Sequence, residues 1–99
     1  MAYTIEFAES VKAQLRELTA RQRKTILDSI ERQLVHKPLA ETRNKKQLRP
    51  NPVAPWELCT GDLRVFYEVA SAEPDTVRIL AVGRKRGNKL YIAGKEVAL

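Results

Sequence analysis

Apolar and polar positions alternate at the start of the chain and then change to helical spacing. Residues 3–7, with the sequence YTIEF, show the period of two that is typical of a half-buried β-strand. From Glu9 the apolar residues recur every three or four positions, as on one side of an amphipathic helix, at Val11, Leu15 and Leu18. The pattern predicts one strand followed directly by one helix.

A second helix is predicted both by its start and by its apolar stripe. Thr19 and Gln22 match the T-x-x-Q capping box, in which each side chain accepts a hydrogen bond from the other residue's backbone N–H. The stripe that follows ends before Pro38 and consists of Ile26, Leu27, Ile30 and Leu34. Two amphipathic helices with so short a joint predict an antiparallel hairpin, whose apolar side must pack against another layer.

The rest of the chain predicts a connector and then strands. Residues 37–55 contain four prolines among mostly polar residues and predict no regular element. Strand segments follow at 56–59, 62–69 and 76–83. The element order predicts the α+β class, with a small antiparallel-rich four-stranded sheet packed against an N-terminal helical hairpin in the order β-α-α-β-β-β.

Two shorter segments complete this prediction. The Pro-Asp content of residues 70–75 predicts a turn between the last two strands. The tail at 88–99 fits a short strand or a short helix, although Gly94 disfavours the helix.

Length and composition place the chain among ordinary globular proteins. Its 99 residues predict one domain spanning 1–99. The apolar content is 43%, and no apolar run approaches the roughly 18 residues that a membrane span requires. The first ten residues carry acids where a secretory signal needs cations, so we expect a cytoplasmic protein without membrane association.

Cysteine and histidine are too scarce for several kinds of site. Cys59 is the only cysteine of the sequence and His36 the only histidine, which excludes an internal disulfide and a cysteine-based metal cluster. A zinc site or a Cys/His nucleophilic pair would need both residues at one spot. We therefore expect no metal and no cofactor.

The formal charge of +6 predicts attraction to polyanions, since an excess of this size acts over a Debye length. The cations concentrate in two stretches, 43–49 and 84–89. Such clustering favours a binding surface over an evenly solvated one. In the first stretch Lys45 and Lys46 are candidate phosphate contacts, although an ordinary solvated loop explains them equally well.

The segment from 56 to 69 predicts a β-hairpin with two different faces. If Thr60 and Gly61 form its turn, Glu57 lies opposite Arg64. Pleating then predicts an apolar face of Trp56, Leu58, Leu63, Val65 and Tyr67. It predicts a polar face of Glu57, Cys59, Asp62, Arg64, Phe66 and Glu68. The hairpin thus predicts that Arg64 stands on the open side of the sheet.

The surroundings predicted for Arg64 favour single-stranded nucleic acid as a ligand. Arginine binds phosphate through two N–H groups at once, and the cations of 84–89 begin where the next strand ends. Tyr91 follows them and supplies a ring on which a base can stack. The alternative is that Arg64 and Glu57 form only a cross-strand ion pair.

These segments resemble the RelE/ParE superfamily of toxins from toxin–antitoxin pairs. The strand GDLRVFYEV, the following ILAVGRKRGNKLY and the chain length carry the resemblance, and its specific part runs from Trp56 to Tyr91. The resemblance implies the same fold that the patterns predict. It also implies one of two activities, because RelE-like members cleave mRNA in the ribosomal A site whereas ParE-like members inhibit DNA gyrase.

The resemblance further implies roles for single residues. Arg64 matches the arginine that stabilises the phosphate, Lys85 a second cation, and Tyr91 the tyrosine that stacks on the nucleotide or orients it. Further RNA contacts are implied for Arg84, Arg86 and Lys89. The family's usual lysines are missing from 56–59, where Glu57 and Cys59 stand instead.

Three interpretations follow from this departure. The protein is a metal-independent endoribonuclease with an altered general base, for which Glu57 rather than Cys59 is the candidate, or it is a weakened enzyme, or it works by binding alone. The first is our expectation, namely a toxin that cleaves ribosome-bound mRNA by attack of a 2′-hydroxyl on the adjacent phosphate. The alternatives are gyrase inhibition and a binding module with a degenerate site. Either kind of toxin implies a cognate antitoxin, expected to bind through an acidic amphipathic segment.

Overall fold

The fold described here comes from a computed structural model of the protein, which describes residues 3–70 and 75–98. The predicted turn at 70–75 lies largely outside the described residues. The elements, in chain order, are β1 (Thr4–Phe7), α1 (Glu9–Arg16), α2 (Ala20–Leu34), β2 (Lys45–Gln47), β3 (Trp56–Thr60), β4 (Leu63–Val69), β5 (Thr76–Arg86), β6 (Lys89–Ile92) and β7 (Lys95–Val97).

Both predicted helices are present, and the start of α2 has the predicted cap. The Thr19 hydroxyl accepts a hydrogen bond from the backbone N of Gln22 at 3.1 Å, and the Gln22 side chain accepts one from the backbone N of Thr19 at 2.9 Å. The predicted stripe was wrong at Leu27, which is 43% exposed, because the apolar side of α2 continues through Ser29 instead. No helix within the described ranges has the length and hydrophobicity to cross a membrane.

The sheet is larger than predicted. Six strands run in the order β2-β3-β4-β5-β6-β7, and β1 pairs in parallel with the first part of β5. The additional strands are β2 in the connector and β6 and β7 in the tail. The sequence predicted no element at β2 because three residues are too few to show an alternating pattern, and it left the tail open between a short strand and a short helix. A turn at Ala93 and Gly94, both with positive φ, joins β6 to β7.

The register of the β3–β4 hairpin differs from the predicted one by two residues. Cys59 lies opposite Arg64, and Glu57 lies opposite Phe66. The turn is formed by Gly61 and Asp62, because Gly61 supplies the positive φ that a type II′ turn requires at its first central position. A shift by two residues leaves every side chain on its predicted face. The predicted Glu57–Arg64 pair is therefore wrong, whereas the predicted assignment of faces is right.

One face of the sheet carries the main core and the other is only partly open. Between sheet and helices lies a cluster that includes Val11, Ile26, Leu58 and Val65. The opposite face was predicted to be polar, but Phe66 is fully buried there. It belongs to a second apolar cluster with Ala54, Ala81 and Leu90, against which Leu48, Val53, Leu80, Ile92 and Val97 pack. The connector and the tail strands thus cover part of the face.

Candidate functional site

Lysine and arginine side chains from three strands meet on the part of the sheet that faces away from the helices. Residues paired across strands point to the same side, and the pairs Lys46–Glu57, Cys59–Arg64 and Arg64–Gly83 tie β2, β3, β4 and β5 together. Lys85 lies two residues beyond Gly83 on the same side. We call the surface formed by Lys46, Glu57, Cys59, Arg64 and Lys85 the cationic face.

Arg64 lies near the middle of the cationic face and has no carboxylate partner among residues 3–70 and 75–98. One terminal nitrogen of its guanidinium donates to the carbonyl oxygens of Gly61 and Leu63, at 2.8 and 2.9 Å. Its Nε is the one buried side-chain nitrogen or oxygen of the described chain without a hydrogen-bond partner. A buried N–H without a partner costs roughly 1–3 kcal/mol. An anion bound by a reoriented guanidinium would relieve that cost.

Lys85 supplies the neighbouring positive charge. As a diagonal neighbour of Arg64 across the β4–β5 pair, it has its Cα roughly 7–8 Å from that of Arg64 by general sheet geometry. The backbone N of Lys85 donates to the carbonyl oxygen of Asp62 at 2.7 Å, which fixes the start of the β5–β6 hairpin against the β3–β4 turn. Within the described residues no carboxylate pairs with the Lys85 side chain. Two neighbouring cations of the described chain thus lack a carboxylate partner and are placed to bind one anionic group.

Glu57 does not contact Arg64. Its side chain is only 3% exposed, and Oε1 lies 3.5 Å from Nζ of Lys46. The Cys59 thiol donates to the same oxygen at 3.4 Å. A carboxylate buried under a lysine has little access to a substrate. Glu57 is therefore placed to hold the Lys46 side chain in position.

The Cys59 thiol is held in its protonated form. Burial is the main cause that raises its pKa, and the charge of the Glu57 carboxylate acts in the same direction. Arg64 and Lys46 partly oppose this shift. Because the thiolate is the nucleophilic form, a cysteine with a raised pKa is suited to a structural part as hydrogen-bond donor.

The remaining predicted site residues of the tail lie on the other side of the sheet. Tyr91 pairs with Arg84, and Arg84 pairs with the core residue Leu63 on the helix-bearing side. The next pair along the β5–β6 hairpin on that side is Arg86 with Lys89. Nζ of Lys89 lies 3.9 Å from a carboxylate oxygen of Glu96. The sequence placed Tyr91 in one neighbourhood with Arg64, whereas the register separates them onto opposite faces.

Lys45 was a candidate phosphate contact, but it is 4% exposed and cannot reach one. Its Nζ donates to the carbonyl oxygens of Gln33 and Lys37, at 3.0 and 2.7 Å, near the C-terminal end of α2. Burial, followed by the charge of Lys37, lowers the pKa of the Lys45 ammonium. Lys45 therefore joins the connector to the helical layer.

We expect Lys45→Met to lower the free energy of unfolding by about 2 kcal/mol, because two carbonyl oxygens lose a charged donor. Urea unfolding followed by circular dichroism measures this loss. The matched control is Lys24→Met, which removes an exposed i,i+4 pair with Asp28 on α2 and should cost less than about 0.5 kcal/mol. Equal losses in the two variants would contradict a structural part for Lys45.

Gly83 is a residue of the site that the sequence did not single out. A Cβ at this position would collide with the backbone carbonyl oxygen of Tyr91 and lie 2.9 Å from Cγ1 of Ile92. Only glycine thus lets β6 approach β5 this closely, which places the tail strands beside the cationic face. The V-G sequence at the end of a strand was the available signal, since glycine inside a strand often marks close backbone approach.

Several solved structures share this arrangement. A RelBE toxin–antitoxin complex from Mycobacterium tuberculosis matches with a TM-score of 0.72 and 25% identity, over 86% of this chain and 100% of that one. A RelE toxin mutant from E. coli in the free state gives 0.60 and 22%, over 85% and 84% of the two chains. A RelE–RelB complex from Pyrococcus horikoshii gives 0.59 and 22%, over 85% and 96%. The fold is accordingly the RelE-like α+β fold.

The sequence itself identifies the family. Residues 5–88 match the family described as ParE toxin of type II toxin-antitoxin system, parDE. The chain therefore belongs to the ParE toxin family and is a toxin of the type II toxin–antitoxin kind, within the RelE/ParE superfamily that the sequence resembled. No curated protein sequence matches it.

Proposed function

We propose that the protein is an endoribonuclease toxin that cuts ribosome-bound mRNA in the A site and thereby stops translation. The observation that supports this most is the pair of cations, Arg64 and Lys85, which have no carboxylate partner among residues 3–70 and 75–98. Two adjacent positive charges of this kind match a phosphodiester, whose charge grows as the phosphate is attacked.

The proposed reaction is an internal transfer within the RNA. The ribose 2′-oxygen forms a bond to phosphorus while the bond from phosphorus to the 5′-oxygen breaks, which leaves a 2′,3′-cyclic phosphate and a 5′-hydroxyl. Negative charge accumulates on the non-bridging oxygens, where Arg64 and Lys85 would donate N–H groups. Because Glu57 is buried, the proposal gives it no direct contact with the ribose.

An antitoxin is the proposed protein partner. The RelBE and RelE–RelB structures that share the fold are complexes of a toxin with its antitoxin. A chain with a formal charge of +6 favours a partner segment rich in acids, which would also cover the cationic face and keep RNA away. We propose that this partner is the cognate antitoxin of the toxin–antitoxin pair.

Gyrase inhibition is the second candidate function, and three observations favour it. The family that matches is that of ParE toxins. The acid expected to act as base is buried, and Tyr91 lies on the other face from Arg64. In this case the cationic face would bind a protein or DNA surface without cutting RNA.

Induction in a bacterial host, with 5′ ends of cellular mRNA mapped at single-nucleotide resolution, tests the proposal. We expect new ends in a fixed codon phase, which disappear in Arg64→Ala. Growth arrest with uncut mRNA would overturn the ribonuclease proposal, and relaxation of plasmid supercoils in the same cells would support gyrase as target. If neither mRNA cleavage nor plasmid relaxation occurs, and Arg64→Ala only weakens the binding of nucleic acid or a protein partner, the protein is a binding module.

A further inference from the structure

Lys46 and Glu57 form an ion pair in which the two partners are buried very differently. The Glu57 side chain is 3% exposed and that of Lys46 is 59% exposed, at 3.5 Å between Nζ and Oε1. Their backbones are direct neighbours across the β2–β3 pair, so the contact needs no unusual side-chain conformation. The acid thus lies beneath the lysine and fixes its position from below.

The Lys46 ammonium has more N–H donors than it has partners among the described residues. A lysine ammonium has three N–H bonds and is protonated at neutral pH. Glu57 is its only partner among the hydrogen bonds and ion pairs of the described residues, and it occupies one of the three. The other two N–H bonds are available at the exposed tip.

The position of Lys46 relative to Arg64 follows from the sheet. Lys46 lies opposite Glu57, Glu57 lies opposite Phe66, and Arg64 is two residues before Phe66 on β4. With ordinary strand spacings, the Cα atoms of Lys46 and Arg64 are therefore roughly 12 Å apart on the same face. The Arg64 guanidinium donates to the carbonyl oxygens of Gly61 and Leu63 at the β3–β4 turn, so it would have to reorient towards Lys46 for both side chains to bind one phosphodiester group. Arg64 and Lys85 would lie on one side of that group and Lys46 on the other.

We propose that Lys46 is a catalytic residue, which donates a proton to the departing 5′-oxygen of the RNA, and that Glu57 is its positioning residue. This inference rests on the proposed ribonuclease function. In the step, the phosphorus–oxygen bond breaks and one N–H proton of Lys46 passes to the 5′-oxygen as the 2′-oxygen bonds to phosphorus. The 2′-hydroxyl proton goes to solvent, and the neutral amine regains a proton from solvent.

A substrate with a sulfur leaving atom tests this role directly. Two short mRNAs are bound to ribosomes, one with an ordinary linkage at the cleavage position and one with a 5′-bridging sulfur there. A thiolate leaves without protonation, so the loss of a general acid should matter only for the oxygen linkage. The full-length protein and its variants are synthesised in a cell-free system, and single-turnover rates are measured on both substrates.

We expect Lys46→Met to slow cleavage of the oxygen linkage roughly 100-fold and to stay within about threefold of the unsubstituted protein on the sulfur linkage. Glu57→Gln keeps the side-chain size and removes the charge that holds Lys46, so it should show the same substrate dependence with a smaller loss, roughly 10-fold. Lys12→Met, which removes an exposed lysine paired with Glu9 on α1, is the charge-matched control and should change neither rate.

Each outcome distinguishes this inference from the function on which it rests. Fast cleavage of the sulfur linkage by Lys46→Met also demonstrates that the variant folds. Equal losses on both substrates in a Lys46→Met protein that circular dichroism shows to be folded would overturn the proton-transfer role. If Lys46→Met is not folded, the double variant Lys46→Met/Glu57→Gln, which leaves no unpaired buried carboxylate, is measured in its place, and equal losses there overturn the role in the same way. If the unsubstituted protein cuts neither substrate, the ribonuclease proposal itself fails and the inference with it.

Discussion

Replacing Arg64 with alanine is expected to lower the rate of mRNA cleavage on the ribosome by roughly 10²- to 10³-fold, the loss typical for one donor that stabilises transition-state charge. The guanidinium carries the charge at the centre of the cationic face. Arg64→Lys should recover only part of the rate, because an ammonium cannot donate two parallel N–H bonds to one phosphate. Single-turnover cleavage of ribosome-bound mRNA, fitted for each variant, measures these rates.

The control for Arg64→Ala lies on the next strand. Arg84 is exposed and points to the helix-bearing side, so Arg84→Ala removes the same charge from the opposite face. We expect Arg84→Ala to lower the cleavage rate less than about fivefold, because it removes only a distant phosphate contact or part of the long-range attraction to RNA. A greater loss of cleavage rate in Arg84→Ala than in Arg64→Ala would mean that RNA binds the helix-bearing side. The proposal that RNA binds the cationic face would then be wrong.

In the β3–β4 hairpin, the predicted faces were right although the predicted turn and residue pairs were wrong. The turn was placed one residue too early, at Thr60 and Gly61 instead of Gly61 and Asp62. The faces were nevertheless correct, because moving a turn by one residue shifts the paired register by two, the period of the pleat. The specific pair was not correct, since Glu57 and Arg64 could meet only in the predicted register. Burial patterns are thus predicted more safely than individual contacts.

The candidate site depended on elements that leave almost no pattern in the sequence. The three residues of β2 are too few for a period to be seen, and the four residues of β6 lie in a tail whose pattern fits a strand or a helix. Yet β2 decides that Lys45 is buried and Lys46 exposed, and β6 decides that Tyr91 shares a face with Arg84. A residue list drawn from charge and resemblance could therefore name Lys46, Arg64 and Tyr91 but could not divide them between faces.

The second apolar cluster explains why the open face is smaller than predicted. In the hairpin pattern Phe66 was one apolar residue among acids and cations, and nothing local indicated a cover. Its cover comes from distant segments, including Leu48 and Val53 of the connector and Val97 of the tail. Such contacts between segments far apart in sequence have no period of their own. They confine the cationic face to one end of the sheet.

Gly83→Ala is expected to lower the free energy of unfolding by about 3 kcal/mol, at the upper end of the usual cost of forcing an additional methyl group into a packed site. The new Cβ would meet the Tyr91 carbonyl oxygen, a backbone atom that cannot move without separating β6 from β5. We expect the tail strands to detach and expose Phe66 and Leu90. Urea unfolding gives the loss of stability, and binding of a fluorescent hydrophobic dye reports the exposed cluster.

Gly87→Ala is the comparison that isolates the cause. Gly87 lies at the tip of the same β5–β6 hairpin, has φ of 61° and would have no atom within 4 Å of a new Cβ. Its substitution should cost only about 1 kcal/mol, the strain of a left-handed backbone in a residue with a side chain, and should leave dye binding unchanged. If the two substitutions cost the same, the close approach of β6 to Gly83 is not what holds the tail on the sheet.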